Sequence, residues 1–263
     1  MKVALVQLNS KLDYRHNLDS IRELLVDAKK EKADVAFLPE CFYSMSDGVN
    51  PTPYLVSSGN EHEKNIKELA IEFDINLFGG TVAYQQGTNI FNRAYNINSR
   101  GKVLSTYDKI NLFACDFFVG DKKIKEIRES NIYTAGSTFN IFDYQQFTVG
   151  NAICFDIRFP SIFSHFINNN VDLVTIPSAF TKKTGEMHWH LLNRARAIET
   201  QGFIISSAQV GDHNGRVSTY GHSLIVDPWG DILLDLGGKN ASVGFVELNF
   251  DKIKSARNSI KVR

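Results

Sequence analysis

Apolar residues along the chain come in short runs separated by amphipathic stretches. The run VALVQL, starting at Val3, has the length of a first β-strand. From about Arg15 to Lys30, Leu18, Ile21, Leu24, Leu25 and Ala28 recur at helical spacing, which predicts a helix with one buried face. Asp34 to Leu38 reads as a buried strand, and His62 to Phe73 as a second helix with Ile66, Leu69, Ala70 and Phe73 on one stripe. INLFGGTVAY, NIFNRAYNI, KVLSTYD, STFNIFDY, FTVGNAICF and VDLVTIP predict successive strands. A helix over Thr184 to Thr200 follows, then strands in FIISSAQV, GHSLIVDP, DILLDL and ASVGFVEL. Helices alternating with strands predict a layered α/β fold. Hairpins between Tyr84 and Tyr107 and after Tyr220 make its sheets mixed. There is no linker, low-complexity tract or run of five like charges, so residues 1–263 are expected to form a single domain.

One internal echo bears on where a site would lie. Ala33-Asp-Val-Ala-Phe-Leu-Pro39-Glu40 and Val171-Asp-Leu-Val-Thr-Ile-Pro177-Ser178 share a plan: an Asp, mostly apolar residues, Pro, then a polar residue. A buried strand that ends at Pro releases the next side chain at its carboxyl edge, where α/β sheets bind ligands. Glu40 and Ser178 are thereby candidates for one cleft. The alternative is that two buried strands simply look alike.

Composition narrows the classes of function. Lys and Arg number 29, as do Asp and Glu, which gives no reason to expect a nucleic acid or an acidic membrane surface as partner. No apolar run approaches the roughly 20 residues that cross a bilayer, and MKVALVQLNS is too short for a signal sequence. A soluble, cytoplasmic protein is expected. The three cysteines, Cys41, Cys115 and Cys154, are too few and wrongly spaced for a disulfide framework or a structural zinc site. No metal and no cofactor are expected, and each cysteine is either a packing residue or a reactive thiol.

Cys154 ends the run VGNAIC and is followed by Asp156 and Arg158, so a strand delivers its thiol into a polar turn. A protonated thiol needs a base. His188 and His190 stand two apart, face different ways on a helix and make a poor metal pair; nothing local joins either to the thiol. Glu40, after Pro39 and beside Phe37, Phe42 and Tyr43, is the alternative base, and an exposed loop glutamate is the bland reading. Lys109, between Tyr107 and Phe113, is either a half-buried cation fit for an oxyanion or a surface lysine beside Asp108.

LPECF around Glu40, YDKINLF around Lys109 and GNAICFDIRFP around Cys154 together resemble the nitrilase superfamily of carbon–nitrogen hydrolases, over nearly the whole chain from VALVQLN to VDPWGDILLD. The resemblance implies an α-β-β-α sandwich that pairs into homodimers and a triad in the chain order Glu40, Lys109, Cys154. It implies a thioester intermediate, an oxyanion held by Lys109 and the Phe155 N–H, and support from Glu129 in RESNIYTAG. IPSAFTKKTGEMHWHLLNRARAIETQ, SAQVGDHN and YGHSLIVDPWG look most like the deaminated glutathione amidase branch, with the ω-amidase branch close. Both handle a small amide bearing a carboxylate, for which Arg158 and Thr184 are candidate contacts; an ion pair of Arg158 with Asp156 or Glu40 is the alternative. Three features depart from the family pattern. Phe155 stands where Tyr is usual, Lys109 is followed by Ile-Asn, and FACDFFVGDKKIKEI replaces a shorter loop, with Phe117 and Phe118 placed to narrow the pocket entrance.

Overall fold

The computed structural model describes residues 1–119, 121–213, 215 and 217–262; at 117–119, 122, 124 and 125 it describes the backbone alone. The first sheet takes strands β1 (Lys2–Gln7), β2 (Val35–Phe37), β3 (Asn76–Phe78), β4 (Thr81–Gln86), β5 (Asn89–Ile97) and β6 (Val103–Asp108). A hairpin of β7 (Ala114–Val119) and β8 (Lys122–Arg128) follows. The second sheet is built from β9 (Asn140–Tyr144), β10 (Phe147–Asn151), β11 (Leu173–Thr175) and β12 (Phe203–Ser206). A ribbon of β13 (Val210–His213) and β14 (Val217–Tyr220) intervenes before β15 (Leu224–Val226) and β16 (Ile232–Asp235); β17 (Ser242–Glu247) returns to the first sheet. The helices are α1 (Tyr14–Lys30), α2 (Glu61–Phe73), α3 (Pro160–Asn168), α4 (Lys182–Thr200) and α5 (Asp251–Ser259).

Among the described residues the strand orders are β17-β1-β2-β3-β5-β4, with β6 on β5, and β16-β15-β12-β11-β10-β9. Both sheets are mixed. Each has three adjacent parallel strands, β1-β2-β3 and β10-β11-β12, flanked by antiparallel ones. The sequence echo falls on the middle parallel strand of each sheet. The likeness extends to hydrogen bonds: Leu38 N donates to Phe78 O at 3.0 Å as Ile176 N donates to Ile205 O at 2.8 Å.

Three apolar clusters set the layers. Leu5, Val35, Phe37 and Phe78 of the first sheet pack against Phe147, Val149, Leu173 and Phe203 of the second, face to face. The outer face of the first sheet is covered by α1 and α2 through Leu18, Ile21, Leu25, Ile66, Leu69 and Phe73. The outer face of the second is covered by α3 and α4 through Ile162, Phe163, Phe166, Trp189 and Ala197. The result is an α-β-β-α sandwich in which each fully buried Leu or Phe contributes about 1.5–3 kcal/mol. Among the described residues no helix is long and apolar enough to cross a membrane.

Several predicted runs are subdivided. INLFGGTVAY is two strands, because Gly79 turns with φ +78° and passes against Thr175 of the opposite sheet; a Cβ there would stand 2.3 Å from Thr175 Oγ1. FTVGNAICF stops as strand at Asn151 and turns into a 3-10 helix over Cys154–Arg158. Helix α4 starts two residues before Thr184, since Gly185 N donates to Thr181 O at 2.8 Å and closes a first turn. The stretch expected as a loop from Ala114 to Arg128 is the β7–β8 hairpin, paired from Ala114↔Arg128 to Val119↔Lys122. The side chains of Phe117 and Phe118 lie outside the described residues.

Candidate active site

The carboxyl ends of the central parallel strands converge with the ends of β6 and β8. Glu40 lies beyond β2, Lys109 directly follows β6, Glu129 directly follows β8, and Cys154 lies beyond β10. Lys109 is buried, and its Nζ donates to Glu40 Oε1 at 2.9 Å and to Glu129 Oε2 at 2.8 Å. A buried ammonium between two carboxylates stays charged: burial pushes its pKa down, but Glu129 and Glu40 carry it well above the usual lysine range. The other Glu40 oxygen accepts the Ala179 N–H at 2.8 Å, and Glu129 Oε2 accepts the Phe113 N–H at 2.6 Å. Asn92, on β5, donates from a single Nδ2 to Glu40 at 2.8 Å and Glu129 at 3.0 Å.

Cys154 sits beside this cluster in a left-handed backbone conformation, φ +47°, which costs an L-residue about 1–2 kcal/mol. Its surroundings enforce that turn. Cys154 N donates to Pro177 O at 3.0 Å, at the end of the neighbouring parallel run. The fully buried carboxylate of Asp156 accepts from Ile153 N, Tyr107 OH, Asn111 N and Asn111 Nδ2, all at 2.8–2.9 Å, and so ties the turn to both sides of the Lys109 segment. Burial and the neighbouring Glu40 carboxylate push the Cys154 pKa well up, while Lys109 and the Ala179 N–H pull the other way. The resting site is therefore a protonated thiol against a carboxylate, with a fixed cation adjacent. Such a set can transfer a proton, form an S–C bond and hold a developing oxyanion without bulk water.

A carbon–nitrogen hydrolase family profile matches residues 2–258. The chain belongs to the carbon–nitrogen hydrolase family. It is a hydrolase of non-peptide carbon–nitrogen bonds. The deaminated glutathione amidase of Dictyostelium discoideum is 33% identical to it, over 99% of this chain and 92% of that one. An ω-amidase of Mus musculus is 30% identical over 99% and 93%. The crystal structure of Saccharomyces cerevisiae Nit3, described as a member of branch 10 of the nitrilase superfamily, superposes with a TM-score of 0.87 at 29% identity, covering 100% of this chain and 94% of that one.

In this carbon–nitrogen hydrolase the buried cluster forms the floor of a pocket of about 890 Å³, counted with its open mouth. Phe113, Ile127, Phe155, Phe180 and Val217 make much of its wall apolar. Phe155, where the family usually has Tyr, packs edge-on against Phe113 and Phe159, each at 5.3 Å. Arg158 brings a cation to the wall. Its guanidinium lies over the Phe180 ring at 5.1 Å, and its Nη2 donates to His188 Nδ1 at 3.2 Å. Asp156 and Glu40 are taken by the partners named above and do not pair with it. Thr184 lines the same wall, its hydroxyl 2.8 Å from that of Thr181.

The expectation for Ser178 is corrected. Its side chain is fully buried, donates to Ile176 O at 3.1 Å and does not line the pocket. The chain presents the N–H of the next residue, Ala179, to Glu40 instead. His188 and His190 do not line the pocket either; His190 turns to Asp235 at 3.0 Å. Asn92, Ala179 and the Asp156 clamp are the parts that sequence reasoning missed. Asn92 left a trace: in NIFNRAYNI, Asn92 and Asn96 alternate with Ala94 on a buried strand face, where polar side chains need partners.

Proposed function

We propose that the chain is a cysteine amidase in which Cys154 is the nucleophile, Glu40 the general base and Lys109 the oxyanion cation, with Glu129 holding Lys109. The observation that carries this is the buried Glu40–Lys109–Glu129 cluster lining one pocket with the Cys154 thiol. Glu40 takes the thiol proton as sulfur attacks the amide carbon. One proton moves between two neighbouring groups, so the net charge of the site is unchanged as the thiolate forms. Lys109 and the Phe155 N–H, a first-turn donor with no helical partner, face the oxyanion. Glu40 then protonates the leaving amine, and a Glu40-activated water hydrolyses the thioester to the acid.

The substrate we propose is a small amide bearing a carboxylate, of the deaminated glutathione type. Arg158 lines the pocket with no carboxylate partner among the described residues, and Thr184 lines the same pocket. A 2-oxoglutaramate activity is the second reading, supported by the equally complete match to the mouse ω-amidase. Cys154→Ala is expected to abolish turnover while circular dichroism stays native; retained activity would remove the thiol from the mechanism. A competition between the two amides, following cysteinylglycine against ammonia, decides the substrate. Turnover of neither rejects the carboxylate-amide assignment.

The three free thiols suit a reducing, cytoplasmic setting. A homodimer is proposed through α4, where Met187 (72% exposed), Leu191 (69%) and Ile198 (48%) face solvent beside Trp229 (46%). Leu191→Glu is expected to halve the sedimenting mass; an unchanged mass places the interface elsewhere.

A further inference from the structure

Away from the pocket, three elements bring two imidazoles and one carboxylate together. His190 comes from α4, His222 from the loop between β14 and β15, and Asp235 from the end of β16. His190 Nε2 is 3.0 Å from Asp235 Oδ2; His222 Nδ1 is 3.0 Å from Oδ1 and 3.1 Å from Oδ2. All three ligand atoms lie within 4.8 Å of one another. None of them serves the proposed amide chemistry.

We propose that His190, His222 and Asp235 form a binding site for a borderline divalent cation of the zinc class, with the fourth position left to water. Zinc–nitrogen and zinc–oxygen bonds of about 2.0–2.1 Å place tetrahedral ligand atoms roughly 3.3 Å apart. The two nitrogen–oxygen edges are already within a few tenths of an ångström of that. The nitrogen–nitrogen edge lies within 4.8 Å, and a rotation of either ring adjusts it. Two imidazoles with one carboxylate select zinc-like ions over calcium or magnesium, which favour all-oxygen sets.

The supports around the ligands are those a metal site uses. Gly237 N donates to Asp235 Oδ1 at 2.8 Å and fixes the carboxylate. Trp189 Nε1 donates to His222 O at 2.8 Å, and the His222 N–H donates to Gly237 O at 2.9 Å. The Tyr220 ring stacks on His222 at 4.3 Å and 24°. Binding requires each histidine to carry its proton on the other ring nitrogen, leaving the nitrogen that now faces Asp235 free as a ligand. Lys182 and Lys239 border the adjoining depression and Glu186 lies one helical turn before His190, so the local charge is mixed. The bound ion would staple α4 to the β14–β15 loop and to β16. Thr184 on α4 and Val217 on β14 are pocket residues, so the staple would stiffen the wall that holds the substrate.

The test is cobalt(II) titration of the full chain carrying Cys154→Ser, which removes the reactive thiol as a competing ligand. One equivalent is expected to bind with the intense visible bands of a tetrahedral N/O site and no thiolate charge-transfer band, and zinc is expected to displace it. Zinc is also expected to raise Tm. His190→Ala and Asp235→Asn, checked for native circular dichroism, are each expected to weaken binding by about 10–100-fold. No cobalt or zinc binding, a thiolate band, or undiminished binding in both variants would overturn the proposal.

Discussion

Asn92 gives two carboxylates a shared donor, and that makes it the residue on which the alignment of the site turns. Its Nδ2 bonds both Glu40 and Glu129, while its Oδ1 is buried with no partner among the described residues. Hydrogen bonds to charged groups contribute about 1.5–3 kcal/mol each, and here they also set the direction in which Glu40 faces the thiol. Asn92→Ala is expected to lower kcat roughly 10²-fold, the scale of losing one preorganised donor, and to change KM far less. Steady-state kinetics with native circular dichroism check this; a kcat within about twofold of the parent would show that Lys109 alone suffices. Glu40, Lys109 and Cys154 each kept a bland alternative in the sequence, and only the resemblance of LPECF, YDKINLF and GNAICFDIRFP to one family joined them. Asn92 was not legible, since its partners lie 52 and 37 residues away and only the fold brings them in. Ser178 misled for a related reason: the echo marked the right strand end, but one step of the backbone turned its side chain inward and presented the Ala179 N–H.

At the scale of elements, long amphipathic helices and alternating strands were readable because burial repeats along them. Asp13 and Asn60 cap α1 and α2 with side-chain bonds to Arg15 N and Glu63 N, at 3.0 and 2.9 Å, so the expected starts lay within a residue or so. Helix α5 escaped notice because only Ile253 and Ala256 are buried on it, too few for a stripe. The β7–β8 hairpin escaped because it packs mainly on itself, and its strands carry charges such as Asp116 and Arg128, which pair at 2.6 Å. The break in INLFGGTVAY has a cause outside the run itself: Thr175, from the other sheet, occupies the space a Cβ at Gly79 would need. Gly79→Ala combines a left-handed φ with that overlap, so the Thr175 side chain or the sheet that carries it must shift beside the site. Destabilisation of about 2–4 kcal/mol is expected, read as a lower Tm or denaturant midpoint. Gly87→Ala is the control: it shares a positive φ but meets nothing within 4 Å, so it should cost only about 1 kcal/mol. Equal losses at the two positions would show that backbone strain, and not the meeting of the sheets, fixes Gly79.

Across the whole molecule, the two halves of the sandwich are joined by buried polar bridges as well as by the apolar interior. Asn96 donates to Asn151 at 3.1 Å between the sheets, and Gln209 Nε2 reaches Glu40 O at 2.9 Å. His213 extends the series: Nδ1 donates to Ser10 O at 2.8 Å, and Nε2 lies 2.8 Å from the Thr219 hydroxyl, which also reaches Gly211 O at 3.3 Å. Burial holds its pKa below the ordinary histidine value of about 6.5, with Lys11 acting in the same direction and Ser10 and Asp212 opposing. The unfolded chain therefore binds this proton at a higher pH than the folded one. The stabilisation from the neutral ring is present in full above the unfolded pKa and is lost as pH falls through the folded pKa. Stability is expected to decline below about pH 6.5, with a slope from this residue of at most about 1.4 kcal/mol per pH unit. His213→Gln keeps a donor for Ser10 and an acceptor for Thr219 without a titrating ring. The difference in unfolding free energy between parent and variant should shrink or invert on going from neutral to mildly acidic pH. A difference that stays constant across that window would show that His213 does not couple the first sheet to the β13–β14 ribbon through its protonation state.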